Sequence, residues 1–184
     1  MITIRLEQAA DAAAREALLD AAYGPSRFAK PSQRLRVGRK PARGLAYVAV
    51  LGGRIVGTIR LWDVCAGPDR PALLLGPLAV APGHQGNGIG SALMRHALAA
   101  AARRGHAAVL LVGDLAYYRR FGFSAEHTGR LWLPGLIDKG RLLGCELRPA
   151  ALVGVRGAIR APKLPARAPL AAAVLAPSLE PRAA

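Results

Sequence analysis

Short apolar runs separated by glycine-containing turns recur along the chain and predict a fold rich in β-strands. The first run, Thr3–Leu6, alternates apolar and polar residues, which is typical of a half-buried strand. Gly52-Gly53 separates two longer runs and predicts a hairpin between them. The predicted strands are Thr3–Leu6, Leu45–Leu51, Arg54–Val64, Leu73–Val80, Ala107–Val112, Ser124–Leu133 and Leu142–Leu147, with a strand-like piece near Val153–Ile159.

Two segments have helical patterns. The Ala/Leu-rich stretch Ala9–Ala22 predicts a helix that stops at Gly24-Pro25. The stretch Gly88–Arg104 has apolar residues at a spacing of four along one face, and a glycine follows it as a stop signal. Because this second helix joins two predicted strands through short connections, the pattern implies a parallel strand–helix–strand unit.

The nearly continuous apolar run Leu73–Val80 predicts a strand that is covered on both faces of its sheet. Gly76-Pro77 lies inside this run. Proline lacks a hydrogen-bond donor and glycine marks irregular backbone, so we expect strand pairing to break at this dipeptide.

Length and composition indicate one folded domain. The chain has 184 residues, of which 52% are hydrophobic, and we assign residues 1–160 to a single globular domain. Residues 161–184 form an Ala/Pro-rich tail with no period that could bury a face. We find neither a signal peptide nor an apolar run of membrane-spanning length. With only Cys65 and Cys145, the sequence favours a reducing, cytoplasmic setting over a disulfide framework.

The net charge of +15 comes mainly from arginine, and together with the abundant Ala, Gly and Pro it indicates a coding bias rather than a partner. One local cluster is more specific, because seven basic residues and no acid lie between Arg27 and Arg43. We favour a solvated loop face for this basic segment, which is the commoner outcome. The alternative is a basic rim that attracts an anionic substrate or the phosphates of a cofactor.

A glycine-rich turn, APGHQGNGIG, joins the apolar run ending at Val80 to the second predicted helix. Such a turn leaves backbone N–H groups unpaired at the positive end of the helix dipole, which suits phosphate. The turn is not a P-loop, because Ile89-Gly90 stands where Lys-Ser/Thr is required. It does not fit a Rossmann turn either, because Ser91 stands in place of the third glycine.

Two motifs together point to a known family. The sequence QGNGIG (residues 85–90) resembles the Q/R-x-x-G-x-G/A motif of the GNAT superfamily of N-acetyltransferases. The sequence YYRRFGF (residues 117–123) resembles that family's (F/L)Y-x-x-x-G-F segment, here on a short helix predicted over Leu115–Phe121. The two motifs have the order and separation seen in the family. The resemblance covers about Leu45–Leu147, and this stretch is similar to a group of uncharacterised bacterial acetyltransferases.

The resemblance implies an α/β fold with a mixed, mostly antiparallel central sheet that is splayed at the cofactor site and flanked by helices. It implies acetyl-CoA as co-substrate and direct transfer of the acetyl group to a primary amine, without a covalent enzyme intermediate. The cofactor-binding residues that it implies are Leu78, Ala79 and Val80 beside pantetheine, and Gln85, Gly86, Asn87, Gly88, Ile89, Gly90 and Ser91 around the pyrophosphate.

Tyr118 occupies the position of the family's catalytic tyrosine, which contacts the cofactor and protonates the departing thiolate. A tyrosine with an unperturbed pKa of about 10 is a suitable acid for a thiol. Tyr117 is expected to face elsewhere. Many family members carry a general base on the motif strand, but Leu73–Val80 contains no acid, so we take Asp63 on the neighbouring strand as the candidate, with a solvated acid as the alternative. The cysteines and histidines lack metal-ligand spacing, and no metal is expected.

The sequence leaves the acceptor open. A small amine, an antibiotic, a protein amine and an aminoacyl-tRNA all remain, and the basic segment 27–43 keeps a tRNA- or protein-directed acetyltransferase as one alternative. Another alternative is a non-catalytic sensor module that binds acetyl-CoA without turnover. We expect no membrane association, and either a monomer or a homodimer.

Overall fold

The structure is a computed structural model that describes residues 1–162, in which three α-helices flank an eight-stranded sheet. The strands are β1 (Thr3–Leu6), β2 (Ala46–Leu51), β3 (Arg54–Ala66), β4 (Arg70–Val80), β5 (Ala108–Val112), β6 (Leu131–Trp132), β7 (Leu142–Glu146) and β8 (Gly157–Arg160). The helices are α1 (Ala12–Tyr23), α2 (Ile89–Arg103) and α3 (Leu115–Tyr118). Within the described range, the helices are too short or too polar to traverse a bilayer. The predicted tail, 161–184, lies outside the described residues from position 163 onward.

The sheet is mixed and mostly antiparallel. Along the order β1-β2-β3-β4-β5-β7, neighbours run antiparallel except for β4 and β5, which are parallel and are joined through α2. β8 pairs with the end of β3 and with β6. The fold class predicted from the sequence is therefore confirmed, including the strand–helix–strand unit.

The predicted strand Ser124–Leu133 is wrong, because Ser124 forms only an isolated bridge with Gly144, Glu126–Thr128 forms a 3-10 turn and the strand is confined to β6. Local side chains account for the difference. The Ser124 hydroxyl accepts a hydrogen bond from the Glu126 amide at 3.1 Å, and the Thr128 hydroxyl donates to the Leu142 carbonyl at 2.6 Å. Side-chain contacts of this kind offer the backbone an alternative to a strand ladder.

Both faces of the central strands are buried, which explains their continuous apolar runs. Leu73 and Leu75 of β4 belong to the core on the α2 side, whereas Leu74 belongs to the core on the opposite side. This alternation follows from the two-residue period of a strand. The predicted apolar stripe of α2 is buried in the first of these cores and consists of Ile89, Leu93, Ala97 and Ala101.

Helix α2 approaches the sheet closely at Gly57 of β3. A Cβ at this position would lie 2.9 Å from the Leu93 side chain and 3.1 Å from that of Ile89. Because glycine has no Cβ, the first turns of α2 can rest directly on the strand. This contact fixes the N-terminus of α2, and with it the glycine-rich loop that precedes the helix.

Candidate active site

The candidate site begins where the sheet opens between β4 and β5. These strands pair only over Leu73-Leu74 and Val109-Leu110 and then diverge. β4 continues to Val80 against β3, but the register shifts opposite Gly76-Pro77, where Gly76 has a φ of +121°. The predicted break at this dipeptide is confirmed. Beyond it, one edge of β4 faces a gap rather than a strand of the described chain.

The backbone of Leu78 and Val80 faces this gap. The Ala81 amide donates to β3 at 2.9 Å, and peptide groups alternate in direction along a strand, so those of Leu78 and Val80 point away from β3. Side chains bind both carbonyls, because the Tyr23 hydroxyl donates to Leu78 and Gln85 Nε2 donates to Val80 at 3.3 Å. The two N–H groups are therefore directed into the gap.

The glycine-rich loop supplies a second set of donors. No backbone N–H from Gly86 to Ser91 has a hydrogen-bond partner within residues 1–162. Gly88, the N-cap of α2, and Gly86 have φ values of +74° and +80°, a conformation that suits glycine and lets successive amides point to one side. A Cβ at either glycine would meet no protein atom within 4 Å. The loop thus presents a row of amides at a helix N-terminus, an arrangement that suits phosphate.

A cleft of about 450 Å³ connects the gap with this loop, and we call it the glycine-loop cleft. Most of the residues predicted to bind the cofactor line it, namely Leu78, Ala79, Val80, Gln85, Gly86, Gly88, Ile89, Gly90 and Ser91. Asn87 belongs to the loop but does not line the cleft. Tyr23, Tyr117 and Arg120 line it as well, although none of the three was predicted to bind the cofactor.

A smaller cavity of about 90 Å³ adjoins the cleft, and Tyr23 and Leu78 line both. We call it the basic cavity, because its charged lining residues are Arg27, Lys30 and Arg36, with no acid from the described chain. The other walls include Gly76-Pro77 of β4 and Tyr118.

Tyr118 lies in the basic cavity rather than in the glycine-loop cleft. Its ring covers Gly113 and packs edge-on against Phe123, with 6.0 Å between ring centroids. Burial raises the pKa of the Tyr118 hydroxyl above its ordinary value, so the phenol stays protonated over the physiological range.

The adjacent Tyr117 faces different surroundings, as the sequence predicts. Its ring lies 5.0 Å below the Arg120 guanidinium, and a Cβ at Gly90 would come within 3.1 Å of its hydroxyl. Tyr117 therefore borders the glycine-rich loop, whereas Tyr118 borders the basic cavity.

The structure does not bring Asp63, the candidate base, to either cavity. Asp63 is exposed on β3 opposite Leu73, and its backbone carbonyl accepts a hydrogen bond from Arg39 Nη2 at 2.8 Å. His84, in the turn before the glycine-rich loop, is half-buried and lines the glycine-loop cleft. In the described part of the chain, no three His, Cys, Asp or Glu side chains are grouped so as to hold a metal ion.

The basic residues of segment 27–43 differ in burial. Four are exposed, as expected for a solvated face: Lys30, Arg34, Lys40 and Arg43. Three are half-buried: Arg27, Arg36 and Arg39. Arg27 and Arg36 line the basic cavity together with Lys30, which a solvated face does not predict. The segment folds inward through two 3-10 turns, Pro25–Phe28 and Pro31–Leu35, and Leu35 is buried in the core beside Trp62 and Leu74.

Sequence comparison matches this architecture to known proteins. The model of the acetyltransferase (GNAT) domain matches residues 42–125. The chain is also 33% identical over 159 residues to the uncharacterized N-acetyltransferase YhbS of Escherichia coli strain K12. The aligned region covers 85% of this chain and 93% of that protein. The chain belongs to the GNAT family of acetyltransferases.

Solved structures of GNAT proteins share the fold. YhbS from Escherichia coli, crystallised in complex with CoA, superposes with a TM-score of 0.74 and 30% identity over 88% of this chain and 89% of that one. A GNAT family acetyltransferase from Brucella melitensis, crystallised in complex with acetyl-CoA, gives a TM-score of 0.67 and 29% identity over 89% of this chain and 97% of that one.

Proposed function

We propose that this protein transfers the acetyl group of acetyl-CoA to the primary amine of an acceptor by direct attack on the thioester. The observation that carries the proposal is the row of free amides from Gly86 to Ser91, which continues into the free edge of β4. Amides at a helix N-terminus suit the pyrophosphate, and an open strand edge suits the amide-bearing pantetheine arm. The CoA and acetyl-CoA complexes of the two related proteins support the same ligand.

In this proposal pantetheine lies along β4. The Val80 N–H would donate to a pantetheine carbonyl, and the Leu78 N–H would donate to the thioester oxygen as negative charge develops there. Because Leu78 lies where the glycine-loop cleft meets the basic cavity, the thioester carbon would face the basic cavity. The acceptor amine would then approach from that side.

Tyr118 is the proposed general acid. When the tetrahedral intermediate collapses, the C–S bond breaks and the thiolate takes the phenolic proton. The attacking nitrogen loses a proton as the amide forms, and a proton from solvent restores the phenol. Tyr118 lines the basic cavity together with Leu78, on the side where the sulfur would depart. Burial raises the pKa of Tyr118. The same burial disfavours a charged thiolate and so raises the pKa of the departing thiol as well, which keeps proton transfer from the phenol to the sulfur favourable.

The basic cavity also bears on the loss of the amine's own proton. No carboxylate of residues 1–162 lines either cavity. The positive charges of Lys30 and Arg36 disfavour an ammonium ion placed beside them and lower its pKa. We propose that the acceptor therefore reaches the thioester as a neutral amine, and that its proton leaves to water.

A thiol-release assay tests the proposed function. Purified protein is incubated with acetyl-CoA and a panel of amines, and free CoA thiol is measured against a reaction without amine. Amine-dependent release of CoA thiol supports the enzyme. Tight acetyl-CoA binding in calorimetry, with no thiol released in the presence of any amine, would support the sensor alternative. Salt-sensitive tRNA binding would support the RNA-directed alternative.

Cys65 and Cys145 are both free thiols, and we propose the reducing cytoplasm as the site of action.

A further inference from the structure

The basic cavity contains a guanidinium that nothing in the described chain neutralises. Arg36 Nε is buried without a hydrogen-bond partner. No acid within residues 1–162 forms an ion pair with the Arg36 side chain. Burial lowers the pKa of Arg36 to about 10, so the side chain still carries its charge at neutral pH. A buried charge without a partner is unfavourable, and an anion would relieve that cost.

Other shielded arginines of the molecule are matched with carboxylates. Arg60 binds Glu7 through Nε at 2.8 Å and Nη2 at 2.7 Å, and Arg15 contacts the same carboxylate. Arg27, also on the basic cavity, pairs with Asp20 at 2.8 Å and with Glu16. These three arginines have acids as partners and Arg39 has backbone carbonyls, whereas Arg36 Nε has no partner within residues 1–162.

The guanidinium of Arg36 lies close to the proposed reaction centre. A Cβ on Gly76 would be 3.0 Å from Arg36 Nη2 and 3.9 Å from the Leu78 nitrogen, so the guanidinium and the Leu78 amide adjoin the same point. Gly76 has no side chain, and this absence leaves room for the guanidinium beside β4. Lys30 adds a second positive charge at the cavity, with Nζ 3.9 Å from the centroid of the Tyr23 ring.

We propose that Arg36 binds an anionic oxygen group of the acceptor, so that the substrate is a compact amine bearing a carboxylate or a phosphate. The inference rests on the proposed function and names its acceptor class. The planar fork of arginine offers paired N–H donors that match either oxyanion. The small cavity favours an anion near the reacting amine, and its cationic lining disfavours acceptors with further ammonium groups, such as polyamines and aminoglycosides.

The test compares acceptors that differ only in their charge. Thiol release is measured with amino acids and their neutral amides, with phosphoethanolamine and neutral ethanolamine, and with spermidine. Wild type should prefer each anionic amine over its neutral partner. Whether the amino acids or phosphoethanolamine react faster then shows whether Arg36 binds a carboxylate or a phosphate. In Arg36→Gln, kcat/KM for anionic amines should fall about tenfold or more, mainly through KM. Neutral amines lose only the effect of the charge on amine protonation, so their kcat/KM should fall less. Arg36→Lys should restore part of the loss, because it keeps the charge without the fork.

Arg34→Gln is the matched control, because Arg34 belongs to the same segment but is exposed and does not line the basic cavity. This variant should leave the acceptor preference unchanged, and calorimetry with acetyl-CoA should show wild-type affinity in the Arg36 variants if they fold. Equal rates for neutral and anionic amines, or equal losses for both in Arg36→Gln, would overturn the inference and leave the proposed function standing. If no amine in the panel caused release of CoA thiol, both the inference and the proposed function would be overturned.

Discussion

The hydroxyl of Tyr23 donates a hydrogen bond to the backbone carbonyl of Leu78, and this bond joins the end of α1 to the open edge of β4. Tyr23 lines both the glycine-loop cleft and the basic cavity, so the bond lies at the boundary between them. The bond also engages the Leu78 carbonyl. Of the two backbone polar groups of Leu78, only the N–H group therefore remains available in the gap.

Replacing Tyr23 with phenylalanine should leave the Leu78 carbonyl without its partner while keeping the aromatic ring. We expect the free energy of unfolding to fall by about 1 kcal/mol, the usual net cost of a lost hydrogen bond. Urea denaturation measures this change. Acetyl-CoA affinity should stay within about threefold of wild type, because the amides of the glycine-rich loop are untouched. A loss of affinity without a loss of stability would place the Tyr23 hydroxyl in the cofactor site.

Replacing Tyr118 with phenylalanine should lower kcat by about 100-fold, a typical contribution of a general acid, while acetyl-CoA still binds. Steady-state thiol release and calorimetry measure the two quantities. Tyr47→Phe is the control, because it removes the same hydroxyl from a buried tyrosine that bonds the Gly44 carbonyl at 2.8 Å, away from both cavities. Unchanged turnover in Tyr118→Phe would remove Tyr118 from the mechanism.

Replacing Gly88 with leucine should block acetyl-CoA binding, because the new side chain would extend from the amide row into the glycine-loop cleft. The positive φ also carries a strain of about 1–2 kcal/mol for an L-residue. Gly52→Leu separates these effects, since Gly52 has a φ of +54° in the hairpin loop and a Cβ there meets nothing within 4 Å. Both variants should lose similar stability, but only Gly88→Leu should lose affinity in calorimetry. Wild-type affinity in Gly88→Leu would refute the loop assignment.

The stability of the domain should depend on Asp11 in acid. Arg5 donates to the Asp11 carboxylate at 2.6 and 2.9 Å and, with the Gln8 amide at 2.7 Å, lowers the Asp11 pKa from 3.8 to about 2. A lowered folded-state pKa gives a contribution that is complete above about pH 4 and is lost as pH falls toward 2. The stability difference between wild type and Asp11→Asn in urea unfolding should therefore shrink between pH 6 and pH 3. A difference for Asp11→Asn that stays constant across this range would contradict the prediction.

Features set by neighbouring residues could be predicted from the sequence. The N-terminus of α2, the irregular backbone at Gly76-Pro77 and the two burial faces of β4 follow from glycine and proline positions and from apolar periodicity. The loop from Gln85 to Ser91 and the strand before it were predictable as one region for the same reason, because they are adjacent along the chain.

Features that depend on distant contacts could not be predicted. Tyr23 reaches Leu78 across 55 positions in the chain, and no local pattern marks it. Arg36 looks like its exposed neighbours in sequence, and only the packing of Leu35 into the core directs this part of the segment inward. Asp63 lies on the strand beside β4, as predicted, but periodicity does not indicate which part of that strand lies beside the gap. In the structure Asp63 pairs with Leu73, before the sheet opens.

The connection from α1 to β2 contributes no strand to the sheet, yet it carries the cationic wall of the basic cavity. Under the proposed function, the catalytic framework and the choice of acceptor are encoded in separate stretches of chain. Exchanging positions 25–39 between GNAT proteins should change the preferred acceptor and leave acetyl-CoA binding unchanged. Substrate preference could therefore be altered, by evolution or by engineering, through this connection alone.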